Sequence, residues 1–115
     1  MDYLQSQTSE FVEQIKKSDI YVSFLQSKKN LEMKPSLSAQ FDEFRKSCFE
    51  IQLGHNYGYY NSYEQLVNLK NANDELLSHS LVKVFMEDEL NMTKLIWKIF
   101  NQLVEEIEFD VDFLE

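Results

Sequence analysis

Glycine and proline are scarce in this chain, two and one in 115 residues. Sheets need many turns and turns draw on those two residues, so the shortage argues for an all-α protein. Cysteine occurs once, at Cys48, which excludes an internal disulfide and any CxxC metal spacing and fits a reducing compartment. No apolar run approaches the ~20 residues of a membrane span. The stretch from Met1 to Phe11 carries acids and amides where a signal peptide would be basic and then apolar. These features predict a soluble, cytoplasmic protein with no membrane association. Basic residues are scarce too, 11 Lys and Arg against 20 acids for a net charge of −9. Residues 1–57 hold 8 acids and 7 bases, whereas residues 58–115 hold 12 and 4. A surface of that sign repels phosphate backbones and disfavours direct nucleic-acid binding. The acidic half serves either solubility or a basic partner.

What the chain has in quantity is helical period. From Ser80 to Ile107, apolar residues recur at Val82, Phe85, Met86, Leu90, the half-apolar Thr93, Ile96, Phe100, Leu103 and Ile107, in steps that a helix aligns on one face. Met92, Leu95, Trp97 and Ile99 widen that stripe, so more than one neighbour is needed to cover it. As one helix the segment would run about 42 Å, longer than the roughly 34 Å diameter of a compact globule of this size. The excess predicts an elongated antiparallel bundle of four to five helices with one long C-terminal helix. It also predicts a core completed by a second chain. Residues 1–107 would form a single helical domain and residues 108–115 an acidic-aromatic tail.

Ahead of that helix, Leu4, Thr8, Phe11 and Ile15 mark a first amphipathic segment over residues 2–17. Ser18 and Asp19 offer an N-cap for a segment from Ile20 to Met33; whether 2–33 is one helix or two stays open. Pro35 forces a boundary. Leu37, Phe41, Phe44, Cys48 and Ile51 then step 4, 3, 4, 3, an a/d seam over Ser36–Leu53. Both glycines fall at Gly54 and Gly58, where that helix should end in a loop rich in tyrosine, with Tyr57, Tyr59 and Tyr60. These rings either fold back over the bundle or await a partner. Ser62 and Gln65 read as a capping box for a helix to about Ser78, with Ser80 capping the last one. Beyond Ile107, Phe109, Val111 and Phe113 alternate with acids, as in an extended strand or a docked tail.

Chemistry is hard to find in the sequence. Glu75 and His79 sit four apart near a helix end, where histidine usually caps, and His55 is a lone loop histidine. Cys48 lies on the apolar seam and reads as a small buried hydrophobe. No phosphate-binding loop, nucleophile setting or paired metal motif is present. The expectation is a non-enzyme with no catalytic residue, no metal and no cofactor.

Four groups of residues carry a resemblance. They are Ser18, Tyr21 and Phe24 at three-residue steps; Leu31 ahead of Lys34 and Pro35; Glu43, Phe44 and Arg45 followed by Phe49, Glu50 and Gln52; and Leu81, Val82, Phe85 and Glu89. In order and spacing they resemble the YlbF/YmcA family of small helical bacterial proteins over nearly the whole chain. The resemblance implies an all-α regulatory adaptor that forms homo-dimers or hetero-oligomers with family members or RNA-processing regulators. It implies modulation of an RNA-degrading endonuclease, with effects on competence, sporulation and biofilm formation. Some members carry C-terminal cysteines that help hold an iron–sulfur cluster; this C-terminus has none, and Cys48 alone cannot hold one. The partner-binding expectation falls on Arg45, Glu50 and Gln52, on Tyr57, Tyr59 and Tyr60, and on Phe109, Val111 and Phe113. The competing reading is a self-assembling structural or chaperone-like bundle with no role in RNA decay.

Overall fold

Pro35 opens a helix, because its fixed φ suits the first helical position and its missing amide hydrogen costs nothing there. The computed structural model describes residues 2–56, 58 and 61–112. These are all-α, with six helices and no strand among the described residues: α1 (Asp2–Lys16), α2 (Asp19–Glu32), α3 (Pro35–Asn56), α4 (Ser62–Ala72), α5 (Asp74–Leu77) and α6 (Ser80–Ile107). The 28-residue α6 matches the long C-terminal helix read from periodicity.

Residues 2–32 resolve into two helices. The Ser18 hydroxyl accepts from the Tyr21 amide at 3.3 Å and donates to the Ile15 carbonyl at 2.6 Å, so one side chain closes α1 and opens α2. Other boundaries differ from expectation. The third helix passes through Gly54 to Asn56, and the positive φ of 80° falls on Gly58 instead. Ser62 does not act as the N-cap. Asn61 holds that position in a left-handed conformation, and α4 starts with no side-chain cap. The expected helix over 62–78 is interrupted at Asn73, whose side-chain amide donates to the Leu69 carbonyl at 2.8 Å and competes with the helix backbone. The long helix is capped one residue before Ser80, by His79 Nδ1 accepting from the Leu81 amide at 3.1 Å. At its other end the Glu108 and Phe109 amides donate to the Glu105 and Val104 carbonyls, a Schellman ending with Glu108 at φ 59°.

The chain divides into two compact units, residues 26–86 and residues 1–25 with 87–115. In the first unit α3 packs with α4 and α5. Its buried apolar residues are Leu31, Phe41, Phe44, Leu76, Val82 and Phe85. The a/d seam of α3 is the face that is covered: Phe41 and Phe44 are buried, with Leu37, Cys48 and Ile51 half-buried. Phe41 and Phe85 meet edge to face at 5.8 Å. In the second unit no described residue is buried. It comprises α1, the start of α2, the greater part of α6 and the residues C-terminal to α6.

Candidate functional site

The largest anomaly is on α6. Near its start the apolar stripe is partly covered, Val82 being 0% and Phe85 6% exposed but Met86 40%. Farther along, the same stripe is bare: Phe100 is 37%, Leu103 54% and Ile107 68% exposed. Trp97, 57% exposed, meets Phe100 edge to face at 5.5 Å. From Leu90 to Ile107, about 26 Å of helix, the exposed apolar residues alternate with Met92, Leu95, Ile99 and Val104, which are half-buried. Within that span the Thr93 hydroxyl donates to the Glu89 carbonyl at 2.9 Å. Phe24, Glu89, Met92, Thr93, Ile96 and Trp97 line a cleft of about 280 Å³ along this stretch. On α1, Leu4 and Phe11 are exposed too, and Thr8 donates to the Leu4 carbonyl at 2.7 Å. Contiguous bare apolar surface of this kind marks interaction sites in folded proteins.

The residues singled out from sequence occupy several places. Arg45, Glu50 and Gln52 are exposed on α3. Arg45 and Gln52, seven apart, share a helix face, and Glu50 does not. The Arg45 guanidinium lies 5.2 Å from the Phe41 ring centre and 5.9 Å from that of Phe85, so it roofs the aromatic pair rather than extending freely. Gln52 lines a cleft of about 480 Å³ with His55, Tyr63 and Leu66. Tyr57, Tyr59, Tyr60 and Phe113 lie outside the described residues. Phe109 is exposed and Val111 half-buried, in a stretch with no regular structure. Trp97, Phe100, Leu103 and Ile107 were on the α6 stripe whose length against the diameter of the globule predicted a core completed by a second chain, but they were not among the residues named for partner binding.

Cys48 and His79 are each engaged within the fold. Burial pushes the Cys48 thiol above its ordinary pKa of 9.0, with the Lys70 ammonium opposing. The Nδ1 atom of His79 is engaged as a helix cap. Among the described residues no three His, Cys, Asp or Glu side chains stand together as a metal site. No helix there is long and apolar enough to cross a membrane.

A family model described as "Control of competence regulator ComK, YlbF/YmcA" matches residues 4–108. No curated protein matches the chain, and no solved structure does.

Proposed function

Because the chain belongs to the YlbF/YmcA family, we propose that it is a non-catalytic regulatory adaptor working in the cytoplasm through contacts with other proteins. The observation that carries this reading is the bare apolar stripe of α6, which continues a stripe whose first turns are partly buried. An isolated chain gains nothing by keeping Phe100, Leu103 and Ile107 in water, at about 25 cal/mol per Å² of apolar surface. Covered by another chain, in a homo-dimer or a hetero-oligomer, the same residues become a source of affinity.

The regulatory assignment follows the family description, control of the competence regulator ComK. Modulation of an RNA-degrading endonuclease is its finer form, with consequences for competence, sporulation and biofilm formation. The net charge of −9 supports an indirect route, since an adaptor reaches the nuclease without touching RNA. The raised thiol of Cys48 and the capping role of His79 support the absence of catalysis. Secondary contacts fall to Arg45, Glu50 and Gln52 on α3, to the tyrosines of the α3–α4 connection, and to Phe109, Val111 and Phe113.

The test is affinity capture of the tagged chain from its native cells after cross-linking, beside a Phe100→Ser/Leu103→Ser variant. Recovery of a regulatory or RNA-processing protein, lost in the variant, is the expected result. Recovery of the chain alone, as a stable homo-oligomer, would favour the structural-bundle reading instead.

A further inference from the structure

We draw no further inference here: the strongest candidate, the cleft of about 280 Å³ that Phe24, Glu89, Met92, Ile96 and Trp97 line beside the apolar stripe of α6, carries nothing because its carboxylate, Glu89, is already engaged within the chain and nothing in the structure shows what covers the apolar remainder.

Discussion

Phe85→Ala and Phe100→Ala, two truncations on one stripe of one helix, should differ severalfold in cost. Phe85 is 6% exposed. Removing its ring forfeits its burial and leaves a cavity, for which Phe→Ala in a packed site costs about 3–5 kcal/mol. Within that figure the edge-to-face pair with Phe41 contributes about 0.5–1.5 kcal/mol. The Arg45 guanidinium above the ring contributes roughly 0.5–1 kcal/mol. Phe100 meets the Trp97 ring, and more than a third of it is in solvent. Its truncation should cost about 1 kcal/mol or less in the isolated chain, as surface changes do. Urea titrations followed by circular dichroism at low micromolar concentration would compare the two. The Phe85→Ala loss is a large share of the ~5–15 kcal/mol of a small domain, so a shallow or absent transition is the expected form. A Phe85 cost below that of Phe100 would refute the division of the stripe into covered and bare halves. A Phe100 cost that grows with protein concentration would mean that another copy covers it.

Arg45→Ala should lower stability by about 1 kcal/mol because the side chain roofs Phe41 and Phe85; in a double-mutant cycle with Phe85→Ala the two losses should be non-additive. His79→Ala should cost about 1 kcal/mol through loss of the cap on α6, read as a drop in urea midpoint with unchanged slope. Glu108→Gly should stabilise by about 1 kcal/mol, since glycine enters the left-handed C′ position without the Cβ penalty that Glu108 bears at φ 59°, and thermal melts would show it. Cys48 should react slowly with thiol reagents at neutral pH. Its folded pKa is raised by burial, so its stability contribution is complete below the unfolded thiol value and is lost as pH climbs through the folded one. The urea midpoint of the native chain should therefore fall relative to Cys48→Ala as pH rises past the ordinary thiol value.

Much of the fold was readable because burial and helical period are tied locally. The 4, 3, 4, 3 spacing from Leu37 to Ile51 announced the covered face of α3, and Phe41 and Phe44 are indeed buried. The cap at Ser18 was readable for the same reason, since its hydroxyl reaches an amide three residues away. The start of α4 was not. A left-handed Asn61 supplies the turn through its backbone, and the Ser62 and Gln65 pattern suggested a cap at the wrong residue. Nor was the break at Asn73 readable, because a side-chain amide competing with the helix backbone wins or loses by margins that composition does not reveal. For the site, the candidates rested on residue types favoured at interfaces, and that criterion takes no account of what neighbouring helices already cover.

The sequence alone determined an all-helical chain, the extent of its 28-residue last helix, its acidity and its family, since each follows from order and spacing along the chain. Tertiary structure decided which half of that helix is covered. That Phe85 finds a neighbour depends on where α3 lies, and nothing in the spacing of a single helix carries that information. It likewise set Arg45 over two aromatic rings and gathered the whole net charge onto the uncovered unit. These are relations between segments far apart in sequence, and only folding brings them within interaction distance.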